Sequence, residues 1–367
     1  MSARLLDRSA LAQLVELLVA RGFEVRGPVV VDGAASFEPI ASARDLAAGV
    51  RDVQAPGRYA LESDPNAPTF GIVNGPNGLK RSFFAPHELL LRAERTGVSF
   101  HVEANVPVGP RLAFLGARPC DLAALAIQDR VLLGGPHVDP YYEARRRGAF
   151  LVAVNCTRTA ATCFCTSLGT GPQIASPHDL ALTEIEPGFV ARAGSDAGRE
   201  VLAALVSREA SAAELALEAR RLAECAAAMT RSLAREGLPE LLYGNLDHPR
   251  WEHVAQRCLA CGNCTMVCPT CFCHTETDGI SLDGASAERS RAWDSCFSPD
   301  HGYVHGKNYR PHTRDKYRQW LTHKLAGWVE QFGTSGCVGC GRCITWCPTG
   351  IDLTEEVAAI RATAKPA

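Results

Sequence analysis

The stretch CLACGNCTMVCPTCFC, residues 258–273, contains six cysteines in sixteen positions. A second stretch, CVGCGRCITWCP at residues 337–348, repeats the arrangement of the first four of them. In each stretch three cysteines are separated by two residues, a fourth follows after three more, and a proline comes directly after it. Such a repeated spacing indicates a ligand that several thiolates hold together, and it defines the fold of the C-terminal part of the chain.

The spacing C-x2-C-x2-C-x3-C-P is typical of bacterial ferredoxins, in which it holds [4Fe–4S] clusters. In two-cluster ferredoxins the fourth cysteine of each run binds the cluster of the other run. The ligands expected for the iron of the first cluster are Cys258, Cys261, Cys264 and Cys347. Those expected for the iron of the second cluster are Cys337, Cys340, Cys343 and Cys268. Gly262 and Gly341, at matching positions, would let backbone amides approach the cluster sulfurs.

Zinc and disulfide bonds are the alternatives for so many cysteines. Zinc sites use four ligands in two separated pairs, which does not explain the third cysteine and the trailing Cys-Pro of both runs. Disulfides are typical of oxidising compartments. The N-terminal residues 1–22 carry Asp7, Arg8 and Glu16 inside an apolar run, so we expect neither a signal peptide nor a membrane span. A cytoplasmic iron–sulfur protein is therefore expected.

The composition indicates packed cores and little net charge. The 367 residues predict two or three structural units, and 46% of them are hydrophobic. The 38 basic and 40 acidic residues give a formal charge of −2, which provides no general attraction to nucleic acid or to an anionic membrane. We therefore expect neither as a partner.

The N-terminal part of the chain has the pattern of an α/β domain. Apolar residues at helical spacing predict an amphipathic helix over residues 9–21. RLAFLG at 111–116 and AFLVAVNC at 149–156 predict buried strands. The helix between them, which Asp121 can cap, completes a parallel, right-handed βαβ unit. A hairpin is expected over residues 181–193.

Three units are expected along the chain. The α/β domain would cover residues 1–195, and a helical connector would follow over residues 196–250, where Ser211 and Glu214 form a capping box. Residues 251–367 hold eleven of the sixteen cysteines. They predict an α-helical, ferredoxin-like domain with two [4Fe–4S] clusters.

An aromatic helical face is expected between the two ferredoxin runs. The residues that share it are Tyr317, Trp320, Leu321, Lys324 and Trp328. Aromatic side chains beside basic residues are also found where proteins bind single-stranded nucleic acid. Because the overall charge is nearly neutral, we favour a helix whose aromatic face covers the clusters.

A second constellation of cysteines lies in the α/β domain. Cys120 and Cys156 each follow the carboxyl end of a predicted strand, where open parallel sheets bind ligands. Cys163 and Cys165, in TCFCTSLGTGP, lie on the loop after the second strand. All four thiols could meet at one edge, so we expect a third cluster there, of the [4Fe–4S] type. The alternative is that they are small buried hydrophobic residues.

The remaining cysteines have no motif of their own. Cys225 lies in a predicted helix and is expected in the core. Cys271, Cys273 and Cys296 are expected to be structural or close to the clusters, and otherwise to be ligands of an extra cluster. The sequence also has no G-x-G-x-x-G after a strand, no phosphate-binding G-x-x-x-x-G-K-[ST] and no H-E-x-x-H. We assign no catalytic residue, and electron transfer is the expected role.

The sequence resembles the iron–sulfur β subunits of cytoplasmic [NiFe] hydrogenases of the sulfhydrogenase type, and the related iron–sulfur A subunit of anaerobic sulfite reductase. The similar stretches are RPCDLAAL, VNCTRTAATCFCTSLGTGP, CLACGNCTMVCPTCFC, RSRAWDSCF, RQWLTHKLAGWVEQFGTSGCVGCGRCITWCP and GIDLTEEV. They lie between residues 111 and 360, while residues 1–110 are only loosely similar. The run GTSGCVGCGRCITWCP favours the hydrogenase branch.

The resemblance implies that the chain is one component of a heteromeric complex. A flavin-bearing, NAD(P)H-oxidising subunit would exchange electrons with this chain, which would pass them towards the small and large subunits of a [NiFe] hydrogenase. The alternative is the A subunit of an anaerobic sulfite reductase or sulfur reductase complex, in which a sirohaem sulfite reductase would accept the electrons. Two other classes stay open: an oxidoreductase that acts on its own substrate at the edge with Cys120 and Cys156, and a binding protein with structural clusters.

Overall fold

The computed structural model describes residues 3–364, so the outermost residues of the first and last predicted units, 1–2 and 365–367, lie outside the described part. The strands in chain order are β1 (Arg4–Asp7), β2 (Phe23–Val31), β3 (Ala34–Pro39), β4 (Val50–Ala55), β5 (Arg58–Ser63), β6 (His87–Thr96), β7 (Ser99–Ala104), β8 (Arg111–Ala117), β9 (Phe150–Val154), β10 (Leu180–Glu184), β11 (Gly188–Ala193), β12 (Ser207–Glu209), β13 (His274–Ile280), β14 (Ser286–Trp293), β15 (Tyr303–Val304) and β16 (Lys307–Asn308). The helices are α1 (Ala10–Ala20), α2 (Lys80–Phe83), α3 (Pro119–Leu132), α4 (Pro140–Arg146), α5 (Asp196–Ala204), α6 (Ala212–Ala227), α7 (Leu238–Tyr243), α8 (Arg250–Ala255), α9 (Asn263–Met266), α10 (Thr313–Thr322), α11 (Trp328–Phe332), α12 (Arg342–Thr345) and α13 (Leu353–Thr363). A π-helical segment, His323–Gly327, connects α10 to α11. Within residues 3–364 no helix is both long and apolar enough to cross a membrane.

Eight strands form one mixed sheet in the order β12-β1-β11-β10-β9-β8-β2-β3. Strands β10, β9, β8 and β2 are parallel to one another, and every other neighbouring pair of this order is antiparallel. Every residue of β9 is buried, as is usual for a parallel strand covered on both faces. Leu14 and Leu18 of α1 lie in one core cluster with Val152 of β9. This core holds β9 in place, and the predicted third site lies at the carboxyl end of that strand.

The parallel pairing of the predicted βαβ unit is confirmed, because Leu115 of β8 is paired with Val152 of β9 in a parallel register. In chain order β8 is followed by α3, by the short helix α4, which was not predicted, and by β9. The right-handed crossover stays a prediction. Asp121 caps α3, because its Oδ2 accepts a hydrogen bond from the amide of Arg118 at 3.2 Å. The N-terminal helix and the hairpin are also present, as α1 and as β10 with β11.

The segment between α5 and α7 is less helical than predicted. A short strand, β12, separates α5 from α6 and pairs with β1 at the edge of the main sheet. Its partner strand lies at the other end of the domain sequence, so no local pattern marks it. The predicted capping box is confirmed: Ser211 Oγ accepts from the Glu214 amide at 3.3 Å, and Glu214 Oε2 accepts from the Ser211 amide at 2.8 Å.

A second sheet joins the two halves of the chain. Its order is β13-β14-β6-β7, so strands from between the ferredoxin runs pair with strands from the N-terminal part. Arg291 of β14 is paired with Glu88 of β6, and their side chains form a buried ion pair of 2.7 Å. The ferredoxin-like part is therefore anchored to the α/β part through backbone pairing.

The aromatic face predicted between the runs is buried. The side chains concerned are those of Tyr317, Trp320, Leu321, Lys324 and Trp328. The ring of Trp320 lies 6.2 Å from that of Phe297, and both line a pocket with five cysteines. Because buried rings are not accessible for base stacking, this arrangement agrees with a helix that covers the cluster region and not with one that binds nucleic acid.

Candidate metal centre

The four ligands predicted for the first cluster line one pocket. They are Cys258, Cys261, Cys264 and Cys347. Most of the other lining is apolar and includes Phe297, Trp320 and Ile351. Burial raises the pKa of Cys258, and the thiolates of Cys347 and Cys261 raise it further. Thiolates gathered in such a pocket require cations to balance them, and the chemistry of this donor set fits cluster iron.

The four cysteines predicted for the second cluster are also neighbours. They are Cys337, Cys340, Cys343 and Cys268. Burial raises the pKa of Cys343 well above its usual range, and the thiolates of the other three raise it further. Cys264 of the first set also raises the pKa of Cys343, so the two sets are adjacent. In both predicted sets, cysteines from the two runs lie near one another. The assignment of ligands to each cluster stays a prediction.

Two glycines give the two runs the same local backbone. Gly262 and Gly341 have φ angles of 76° and 74°, and each directly precedes a short helix, α9 or α12. A side chain would be strained in this left-handed conformation, and at Gly341 it would also collide with the carbonyl oxygen of Thr162. The glycines therefore permit the tight turn between the second and third cysteines of each run.

Two buried lysines lie beside the second set. Lys324 is 4% exposed, and its Nζ donates to Cys268 Sγ at 3.3 Å and to Cys271 Sγ at 3.5 Å. Lys80 Nζ donates to Met266 O at 3.1 Å. Although burial lowers it, the surrounding thiolates raise the pKa of Lys324 well above its usual range. The anionic neighbours of both lysines are cysteines, and since buried cations need anions, the pair fits a site with thiolates and an anionic cluster.

The lysine contact involves an irregular stretch of helix. Lys324 lies in the π-helical segment, a kind of distortion that occurs frequently at functional sites. Its Nζ also donates to Thr270 Oγ1 at 3.3 Å and to Gly336 O at 3.1 Å. Because these contacts come from both ferredoxin runs, the ammonium group holds the two runs together at the second set.

The loop with Cys163 and Cys165 packs against the second ferredoxin run. The amide of Phe164 between them donates to Gly339 O at 2.9 Å. Cys163 Sγ lies 3.9 Å from the carbonyl oxygen of Cys340. All cysteines predicted for the third cluster are buried. The predicted third site therefore adjoins the second one.

The four cysteines predicted for the third cluster do not all lie together. Cys156, which follows β9, is a thiol neighbour of both Cys163 and Cys165. Cys120, at the start of α3, packs in an apolar cluster with Cys340 of the second run. Its thiol neighbours are Cys340 and Cys165. Cys120 thus lies beside both groups, while the other three members lie together.

Cys225 of α6, which we expected in the core, joins this neighbourhood. It is 2% exposed, and its main thiol neighbour is Cys163. Burial and the Cys163 thiolate raise the pKa of Cys225 to about 11. Its thiolate in turn raises the pKa of Cys156 and of Cys165. The sequence contained no signal for this position, because a lone cysteine in a helix has no spacing that links it to a distant loop.

The three remaining cysteines lie near the first ferredoxin run. Cys271 forms a thiol hydrogen bond with Cys268, and Cys296 forms one with Cys273. The bond from Cys296 lowers the pKa of Cys273 to about 7. All sixteen cysteines fall within the described residues and are free. In that same part of the chain, no group of three or more His, Cys, Asp or Glu side chains is spaced for one metal ion.

Comparison with known proteins agrees with this site. Residues 257–351, which include both runs, match the family model of a 4Fe-4S dicluster domain. The chain is 33% identical over 289 residues to sulfhydrogenase 2 subunit beta of Pyrococcus furiosus, which corresponds to 77% of this chain and 82% of that protein. No solved structure matches the chain significantly. The prediction of a C-terminal 4Fe-4S dicluster domain is confirmed.

Proposed function

The chain belongs to the family of sulfhydrogenase beta subunits, and we propose that it carries electrons between a flavin subunit that oxidises NAD(P)H and the small subunit of a [NiFe] hydrogenase. The large hydrogenase subunit would then be reached through the small one. The dicluster domain supports a role in electron transfer. The observation that carries the proposal is the adjacency of the two cysteine sets, which meet at the pocket that both Cys264 and Cys343 line.

The cysteines would hold the redox centres in three places. The first cluster would be bound by Cys258, Cys261, Cys264 and Cys347, and the second by Cys337, Cys340, Cys343 and Cys268. A third would lie in the group of Cys120, Cys156, Cys163 and Cys165. When bound, such clusters supply the one-electron steps that connect a two-electron flavin to a catalytic metal centre.

The residues around the cysteines would favour electron transfer at these sites. Phe297 and Trp320 give the first pocket an apolar lining, which strengthens electrostatic interactions beside it. Lys324 and Lys80 place positive charge beside the second set. The hydrogen bond from Phe164 to Gly339 keeps the third group against the second run. Closely spaced sites are what an electron relay requires.

The proposal is tested with the full chain, prepared without oxygen, alone and together with its flavin and hydrogenase partners. Alone, it should give low-potential iron–sulfur signals in electron paramagnetic resonance (EPR) spectra after dithionite reduction, and no hydrogen turnover. In the complex, hydrogen production from NAD(P)H should require this chain. A variant with Cys264→Ala and Cys343→Ala provides the control, because it should assemble but not support turnover.

Three results would contradict the proposal. One is hydrogen turnover by the isolated chain, which would make it an enzyme in its own right. A second is full NAD(P)H-driven hydrogen production by the partners without it. The third is transfer of electrons from this chain to a sirohaem sulfite reductase and not to a hydrogenase.

A further inference from the structure

We propose that Cys225 is the fourth thiol ligand of the third iron–sulfur site, together with Cys156, Cys163 and Cys165, and that Cys120 is not a ligand. This inference rests on the third cluster of the proposed function and specifies which residues hold it. The site would take a [4Fe–4S] cluster, whose four irons each need one thiolate. Helix α6 would thereby become part of the metal centre.

The position of the end of α6 supports this assignment. Met229 follows Cys225 by four residues, just beyond the end of α6 at Ala227, and its amide donates to Ala226 O at 3.3 Å. Met229 Sδ lies 3.8 Å from Cys165 Sγ and 3.4 Å from Thr166 Oγ1. The chain at the end of α6 is therefore held against the loop that carries Cys163 and Cys165, and Met229 packs in one apolar cluster with Cys163.

The mutual arrangement of the thiols separates Cys225 from Cys120. Cys225 is close enough to Cys156, to Cys163 and to Cys165 to interact electrostatically with each of them, and those three also interact with one another. A cluster needs four thiols that are close to one another, and each of these four interacts with the other three. Cys120 instead has Cys340 and Cys165 as its thiol neighbours.

A buried cation provides a separate indication of an anion at this place. Arg118 is 6% exposed, and its guanidinium donates to the carbonyl oxygens of Phe70 and Ile72. Its positive charge lowers the pKa of both Cys156 and Cys225. These carbonyl groups satisfy its hydrogen bonds, and among residues 3–364 its guanidinium forms no direct ion pair with a carboxylate, so an anion nearby would lower the cost of burying its charge. A cluster held by four thiolates would supply such an anion.

The position of the site extends the relay. Cys163 Sγ is 3.9 Å from Cys340 O, and Cys340 belongs to the second ferredoxin set. A cluster held by Cys225 and its three partners would therefore be next to the second cluster and on the side of the α/β domain. The α6 side of that domain would then be an entry or exit point for electrons.

The test compares matched alanine variants of the full chain, reconstituted without oxygen. Cys225→Ala and Cys120→Ala each remove one buried thiol from a helix, where alanine is well tolerated. Iron and acid-labile sulfide are counted per chain, and the clusters are observed by EPR. We expect about twelve iron atoms in the unchanged chain and in Cys120→Ala, and about eight in Cys225→Ala. Cys163→Ala, a ligand in either assignment, should match Cys225→Ala.

Each other outcome overturns the inference in a recognisable way. If Cys225→Ala keeps its iron and Cys120→Ala loses about four atoms, Cys120 is the ligand. If Cys225→Ala loses the signals of all clusters alike, the residue has a structural role and no selective ligand role. If the unchanged chain binds only about eight iron atoms, the third cluster itself is absent, while the two-cluster relay of the proposed function remains.

Discussion

Replacement of Lys324 by methionine should lower the reduction potential of the cluster that Cys268 binds. The lysine ammonium donates to Cys268 Sγ at 3.3 Å and is 4% exposed. Positive charge at this distance stabilises the reduced cluster more than the oxidised one, because reduction adds a negative charge. Methionine is unbranched like lysine and tolerates burial, so the packing should change little. Gly336 O, which would lose the ammonium as a donor, also accepts a hydrogen bond from Thr270 Oγ1 at 2.6 Å and so keeps a partner.

The magnitude follows from Coulomb's law. With an effective dielectric constant of about 20, a unit charge at 3.3 Å contributes about 5 kcal/mol. The added electron is spread over the cluster, so its mean distance from Nζ is about twice as large and the contribution falls to roughly 2.5 kcal/mol. For a one-electron couple this corresponds to a decrease of roughly 100 mV.

A redox titration of the full chain, followed by EPR, measures this shift. Lys316→Met is the matched control, because Lys316 is also buried but its Nζ donates to Phe297 O at 3.1 Å and not to sulfur. The control should leave the potential of this cluster nearly unchanged. An unchanged or higher potential in Lys324→Met would refute the electrostatic role of the lysine.

Three further predictions concern charge and metal. Lys80→Met should lower the same potential by less than Lys324→Met, since Lys80 donates to Met266 O and not to sulfur; the same titration would show an equal or larger shift if this is wrong. Asp121→Ala leaves Arg342 buried without its 2.8 Å ion pair and should lower the free energy of unfolding by about 3–5 kcal/mol in urea denaturation, whereas a loss below about 1 kcal/mol would match an exposed pair. Removal of iron by a chelator should lower the thermal unfolding midpoint in circular dichroism, because clusters bind only the folded chain; an equal midpoint would contradict their ligation by the core.

Local patterns predicted much of the fold. The spacing of apolar residues was sufficient to predict α1, β8, α3 and β9, because neighbouring residues determine the period with which side chains are buried. The capping box of α6 has a similar local origin, since Ser211 and Glu214 are three residues apart. The two ferredoxin runs were recognisable for the same reason: cluster geometry fixes the spacing of their cysteines.

The parts that were not predicted depend on distant partners. β12 consists of three exposed or half-exposed residues, and no local sequence pattern predicts its pairing with β1. The pairing of β14 with β6 brings Arg291 to Glu88 across most of the chain. Cys225 was expected only in the core, because its thiol neighbours come from other segments. Lys324 was expected on a helix face that covers the clusters, but its contact with Cys268 Sγ depends on a distant loop and was not predicted.

The most direct test of the interleaved ligation counts iron in two double variants of the full chain. Cys347→Ala with Cys258→Ala should lose about four iron atoms, because both residues belong to one cluster. Cys347→Ala with Cys337→Ala should lose about eight, because each variant removes a ligand from a different cluster. The opposite pattern, about eight for the first pair and about four for the second, would mean that each run holds its own cluster and would contradict the account.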